Sequence, residues 1–473
     1  MKKIKISIIV SAFGLIALSS CNGALDETVY SALSDDYLSS SEAKYKVLLS
    51  AYGNANQRSN PYFYTSGMVS GETWTENGSI QAYLTPLVNF NWTSSHDYFS
   101  SLWQSFYAAI RDANIVIANT SNSNDATDLQ YLAEARFVRA YSYAYLHDWF
   151  GGLPLYQSPD DEAYLEKSSS EETVAFIESE LLAAAEVLPV KQVTYGRATK
   201  GAALGILSWL YLNDKQWDKA AETAKKVIDL KVYDLFPDYT QLFKIENEGN
   251  QELIWVNQAN NSAGIAFPAN ILPTDFPHLS NQTIWASRVH LYDDFVNSFA
   301  DGDLRKSLIA TSYISSTTGK EVKLLGTNES YPYKYELDPN AIGSSFGNDI
   351  PVLRYADILL IRAEALNESQ GVNVESVDLL NRIRTRAGVS TYNQSDFTKE
   401  SFRTALFQER SWEFFFEQKS RSDQVRQGTF ITNAISRGLT YAKSYQVLFP
   451  IPQKELDANP KLKQNPGYES AVE

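Results

Sequence analysis

The sequence predicts an all-α fold built on tetratricopeptide-like helix pairs, with long loop-rich insertions and a few short strands. Three observations carry this expectation. Arg354 to Gly388 reads as a helical hairpin: Tyr355 to Leu366 lacks Gly and Pro, Tyr355, Ile358, Leu359 and Leu366 recur at helical spacing, and Leu379, Leu380, Ile383 and Ala387 stripe the helix that follows. Lys200 to Leu230 places Leu207, Ser208 and Tyr211 before a turn at Asn213 to Gln216, then Trp217, Ala220 and Ala224. That fits the L-G-x2-Y…A-x3-F repeat, with Ser for Gly and Ala for Phe. Between Asp234 and Val352, by contrast, the helical period fades into Pro-rich, aromatic-rich sequence. About four helix pairs are expected, stacked as a curved scaffold.

Composition narrows the function. The chain has 473 residues, 44% of them hydrophobic, enough for a large core. No Pro/Ser-rich linker or charge block divides it, so one body is expected over residues 41–473, its parts being 41–233 (helix pairs), 234–352 (a loop-rich binding region) and 353–473 (hairpin and tail). A formal charge of −15 argues against nucleic-acid binding through a general basic field. One cysteine leaves no disulfide and no CxxC-type site within a chain.

In chain order, residues 1–20 read as a signal peptide: Lys2, Lys3 and Lys5 precede the apolar run Ile6 to Leu18, too short for a permanent span. Leu18-Ser19-Ser20-Cys21 resembles a bacterial lipobox, which makes Cys21 the expected lipidation site and residues 21–40 a lipidated tether. Ser41 to Asn56 is a first helix. Gln57 to Ser101, with Tyr62, Phe63, Tyr64, Trp74, Tyr83, Phe90 and Trp92 among Gly, Ser, Thr and Asn, shows no helical period and reads as a long aromatic loop region. Helices are expected at Leu102 to Thr120, Leu129 to Trp149 and Glu171 to Leu188. Val289 to Leu304 is read as a helix inside the loop region, and Tyr331, Tyr333 and Tyr335 as a strand with one aromatic face. Phe402 to Arg426 is an amphipathic helix with its extension. The charges of the hairpin, Asp357, Arg362, Glu364, Arg382, Arg384 and Arg386, are expected to pair across it, because unpaired buried charge is too costly.

Several of these stretches together resemble the SusD/RagB family. The hairpin carries R-Y-A-D-I-L-L-I-R-A-E-A-L-N and L-N-R-I-R-T-R-A-G. Trp103, Tyr107, Ile110, Ala113 and Asn114 match W-x-x-x-Y-x-x-I-x-x-A-N, and Ala133 to Ala140 with Gly152 to Pro154 match A-E-A-R-F-x-R-A and G-x-P. Glu409, Arg410, Glu413, Glu417, Arg421, Asp423, Arg426 and Gly428 match a further motif, in which Ser422 and Gln424 stand where an apolar neighbour is usual. The tail from Pro450-Ile451-Pro452 to Asn465-Pro466-Gly467-Tyr468 is similar position by position. The resemblance implies a SusD-like surface lipoprotein of the outer membrane, taking part in carbohydrate uptake beside a SusC-like TonB-dependent transporter.

No pair of carboxylates, histidine cluster or glycine loop stands out as catalytic, so a non-enzyme is expected, without cofactor or metal. Asp301 and Asp303 lack the further carboxylates a calcium loop needs. Sugar binding makes another demand, since a pyranose face packs on an exposed flat aromatic while short polar side chains take its hydroxyls. Three tryptophans have that setting: Trp74 with Glu72 and Asn77, Trp92 with Asn91, and Trp285 with Arg288. Trp103, Trp149, Trp209, Trp217 and Trp412 lie on helix stripes and are expected in the core. The expected function is capture of oligo- or polysaccharide for the transporter. A non-glycan nutrient such as a peptide is the alternative within the same architecture, and a surface glycan hydrolase the alternative outside it.

Overall fold

The computed structural model describes residues 35–57, 59–76, 78, 80–262, 264–285 and 289–468. The signal peptide, Cys21, Asn77 and Arg288 lie outside the described residues. The long helices are α2 (Ser41–Ala55), α5 (Asp97–Ala118), α6 (Ala126–Phe150), α7 (Ser170–Val187), α8 (Lys200–Asn213), α9 (Trp217–Asp229), α12 (Tyr355–Gln370), α13 (Val374–Arg386) and α14 (Lys399–Phe414), with α1 (Asp35–Leu38) leading in. Their starts follow capping chemistry. Asp125 accepts from two backbone N–H groups of α6, and Ser169 with Glu172 closes a capping box on α7.

These helices pack in a row, α2 on α5, α5 on α6 and so on through α7, α8 and α9, after which α9 lies on α12 and α12 on both α13 and α14. The scaffold is helical and tetratricopeptide-like, as the sequence predicts, with the helices from α5 to α9 each shared between two neighbours of the row. Among the described residues the buried apolar side chains form a connected core from Leu38 to Leu462. Trp103, Trp149 and Trp209 are buried in it, and Trp217 and Trp412 pack against it.

Three expectations change. The first concerns residues 57–101, which are not a long loop: α3 (Asn60–Ser70) and α4 (Gln81–Val88) lie within them. Every described residue of α3 from Pro61 to Ser70 is buried, so it has no polar face and no amphipathic period to read. Burying Tyr62, Phe63, Tyr64, Met68 and Val69 contributes about 1.5–3 kcal/mol for each large apolar side chain.

The second is Val289 to Leu304, where, after the short helix α10 (Phe267–Ile271), β3 (Val289–Leu291) pairs antiparallel with β1 (Thr73–Thr75) before the short helix α11 (Asp293–Asn297). Pairing with a distant segment decides this stretch over its local pattern. Likewise only Tyr331 and Pro332 form a strand, β7, and Tyr331 and Tyr335 are both buried. Besides β1/β3, two-stranded ladders join β2 (Leu253–Asn257) to β8 (Ile350–Arg354), β4 (Ile309–Ala310) to β7 and β5 (Ser312–Ile314) to β6 (Glu321–Lys323).

The third is the charge pairing of the hairpin. Only Arg362 pairs across it, with Glu375 at 2.7 Å. Asp357 meets Arg410 (2.8 Å) and Lys419 (2.9 Å), Glu364 meets Arg426 (2.7 Å) of α15 (Ser420–Gln427), and Arg384 meets Glu409 (2.7 Å) of α14. Arg386 pairs with Glu252 and Glu413, and Arg382 with Asp234. Arg305, Arg354 and Lys334 enter the same buried network through Glu409, Glu413 and Glu417. Burial pushes Glu413 up, but Arg386, Arg354 and Arg305 outweigh it and hold its carboxyl well below the usual range. Asp303 is committed to Arg305 at 2.7 Å, the role of the Asp-Gly-Asp turn.

Candidate functional site

The β1/β3 ladder sets Thr73 opposite Leu291, Trp74 opposite His290 and Thr75 opposite Val289. The Trp74 indole stacks on His290 with ring centroids 4.7 Å apart and an angle of 29°. Its Nε1–H donates to the Asn328 carbonyl at 2.7 Å. The turn holding that carbonyl is pinned by Asp293, whose carboxylate accepts the N–H groups of Gly326 (2.9 Å) and Asn328 (3.1 Å). His290 is fully buried, and burial keeps its imidazole below the usual pKa, so it is a neutral backing plate at neutral pH. Trp74 itself is partly exposed. Tyr292 stands 6.4 Å from it, beside Arg437, whose guanidinium also donates to the Val69 carbonyl at 3.1 Å.

Gly71 makes that approach possible. Its φ of 75° is left-handed, and a Cβ there would sit 2.3 Å from the Arg437 guanidinium.

Trp285 is 43% exposed. Its backbone N–H donates to the Ala269 carbonyl (2.8 Å), and the loop before it is laced to the 338–343 segment: Gly343 N–H to Asn281 O and Thr283 N–H to Gly343 O, both 2.8 Å. Gln282 donates to the Asp338 carbonyl at 2.7 Å. Leu279 and Ile342, exposed on these two segments, border the indole's loop with exposed Asn281 and Thr283. Four residues after Trp285 comes Val289 of β3, so extended backbone keeps their Cα atoms within about 14 Å. Trp74 is thus on the ladder and Trp285 within that distance of its end.

The other expected residues fall elsewhere. Trp92 is 5% exposed, its Nε1–H on the Tyr468 hydroxyl (2.9 Å) and its ring among Phe90, Phe99 and Phe449. It is a core residue and cannot present a face to a sugar. Asn91 is exposed, but contacts of its loop run to the C-terminal tail, through Trp92 to Tyr468 and Ser94 to Gln453. Glu72 is turned into the protein, where its Oε1 accepts the Phe416 N–H at 2.9 Å. Burial pushes its carboxyl up to about 7, against that N–H and the Lys334 charge. It lines a cavity of about 480 Å³ with residues of α14 and α15.

Sequence reasoning missed His290 as the support of Trp74, and missed Asn328 and Arg437. Only the turn chemistry of Gly326-Thr327-Asn328 gave a local signal.

A partly exposed indole on a short ladder and an exposed one within about 14 Å of that ladder's end set the class: a helical scaffold that leaves flat aromatic faces open to solvent. Comparison with known proteins gives the class a family. The SusD family model matches residues 305–468, and a model described as starch-binding, associating with outer membrane, matches residues 25–212. The chain belongs to the SusD/RagB family.

The starch-binding protein SusD of Bacteroides thetaiotaomicron is 26% identical over 467 residues, covering 84% of this chain and 82% of that protein. A SusD-like protein of Formosa agariphila is 26% identical over 425 residues, covering 78% and 80%. Among solved structures, a SusD superfamily protein from Parabacteroides distasonis superposes with a TM-score of 0.79 at 23% identity, over 92% of this chain and 100% of that one. Surface glycan-binding protein A from Bacteroides thetaiotaomicron, in complex with laminarihexaose, gives 0.76 at 20% identity, over 90% and 99%. These structural likenesses concern the fold.

Proposed function

We propose that the protein is a glycan-binding lipoprotein of the cell surface, anchored in the outer membrane through acylated Cys21, that captures oligo- or polysaccharide and delivers it to a SusC-like TonB-dependent transporter. The observation that carries this reading is Trp285, a large flat aromatic left 43% exposed on a loop of Asn, Gln and Thr held rigid by backbone bonds. Exposing an indole forgoes the burial energy its ring would supply, and a sugar face offers the compensating contact. Trp74 is the second platform, and Asn77 and Arg288 are hydroxyl-binding partners by their place in the sequence. The protein acts by holding its ligand, without cleaving it. The relatives named for starch and glycan binding, and the family model named for outer-membrane association, support the same reading.

The test is isothermal titration of the detergent-solubilised full chain against a panel of polysaccharides and their oligomers, with Trp285→Ala and Trp74→Ala beside it. One class of glycan is expected to bind without product release, and Trp285→Ala to weaken it about tenfold or more, a loss of at least about 1.4 kcal/mol. Binding unchanged in both folded variants, or release of shortened sugar, overturns the reading.

A further inference from the structure

Arg437 stands apart from the arginines enclosed elsewhere in the protein. Arg305, Arg354, Arg386, Arg410 and Arg426 each meet at least one carboxylate. Arg437, half-buried at the C-cap of α16 (Phe430–Ser436), meets none among the described residues. Its hydrogen-bond partners are neutral. Nε–H donates to the Asn433 carbonyl at 3.3 Å and Nη2–H to the Val69 carbonyl at 3.1 Å, and the Tyr292 hydroxyl lies beside the guanidinium. Burial lowers the pKa of the group, and only Tyr292 acts against that shift.

Val69 and Asn433 belong to the last turns of α3 and α16, so two helix ends hold the guanidinium. Their carbonyls offer partial charges, which fix its place without matching its full charge. Of its five N–H donors, two go to those carbonyls and one can go to Tyr292. Nη1 makes neither carbonyl bond and is not sealed from water, so it stays open to solvent. Tyr292 links this cation to the platform, its ring centroid 6.4 Å from that of Trp74. With a formal charge of −15 on the chain, a free cation here is a local provision and not part of a basic field. A planar guanidinium one tyrosine away from a stacking indole suits a carboxylate or sulfate, which it takes through parallel N–H bonds.

We propose that Arg437 is the anion-recognising residue of the Trp74 platform, and that the glycan taken there carries acidic groups, either the carboxylates of uronic acids or sulfate esters. The proposal rests on the glycan-binding reading and names its substrate class. It is tested by isothermal titration of the detergent-solubilised full chain with paired probes: uronate oligosaccharides and their carboxyl-reduced twins, and sulfated galactan oligosaccharides and their desulfated twins. The acidic member of one pair is expected to bind about tenfold tighter than its neutral twin, the worth of a charge-assisted hydrogen bond, and that pair identifies the group. Arg437→Gln keeps a donor for the helix-end carbonyls and removes the charge, and should bring the twins to the same affinity. Arg437→Lys keeps the charge without the fork and should retain part of the preference. Trp74→Ala should weaken both twins. Neutral twins that bind as tightly as acidic ones, binding confined to neutral polysaccharides, or an acidic preference that survives Arg437→Gln overturns the assignment and leaves the glycan reading intact. No binding to any of these probes or to any polysaccharide overturns both.

Discussion

Glu72 places a carboxyl where the protein disfavours a charge. Its carboxyl, pushed up to about 7 by burial, is stabilised folded in its protonated form. Its contribution to stability is therefore fully present below the unfolded value near 4.5 and is lost as the pH rises through 7. Glu72→Gln keeps an acceptor for the Phe416 N–H and removes the titration. Its stability in urea titration should match the parent near pH 4 and exceed it near pH 8 by on the order of 3 kcal/mol; parallel pH curves for the two proteins would refute this. Trp92 makes a contrast with Trp285 although both looked alike in sequence, each among Asn, Ser and Thr. Trp92→Ala should cost about 3–5 kcal/mol in chemical denaturation, the price of an aromatic core cavity, whereas Trp285→Ala should leave the denaturation midpoint unchanged. Local polarity does not tell a loop tryptophan that faces solvent from one that faces a tail several hundred residues away, and that is why the site was only partly legible.

The helices were legible where they are amphipathic and opaque where they are not. The repeat unit of α8 and α9 and the α12/α13 hairpin stand within a few residues of their sequence-based bounds, because caps and apolar stripes act locally. Helix α3 is enclosed by α4, α5, α15 and β1, and enclosure erases the period that would reveal it. The hairpin charges were rightly assigned to the scaffold, but apart from Glu375 their partners lie on or beside α14 and α15, in the turn before β2 or at Asp234, which no spacing rule reaches. Those partners give the motif around Glu409 to Arg426 its purpose: it neutralises arginines arriving from other elements. Glu413→Ala leaves Arg386, Arg354 and Arg305 short of one counter-charge in a dry interior, and should lose about 3–5 kcal/mol. Urea titration at neutral pH checks it, and a loss below about 1 kcal/mol, as at an exposed pair, would contradict it.

The connected core that runs from Leu38 to Leu462 leads to the expectation of one cooperative unfolding transition for the whole chain. Calorimetric and van't Hoff enthalpies should agree; two resolved transitions would instead divide the chain into independent parts. The tail from Phe449 to Tyr468 closes this body. The Phe449 N–H donates to the Trp149 carbonyl (2.8 Å), Asn465 donates to the carbonyls of Phe150 (2.9 Å) and Phe449 (2.8 Å), and Tyr468 receives Trp92. The aromatic seam at the ends of α5 and α6 is thus covered by a segment about 300 residues further along the chain than Trp149. A chain cut before Phe449 would leave the aromatic rings at these helix ends open to solvent, so the N-terminal half is finished by a segment made long after it.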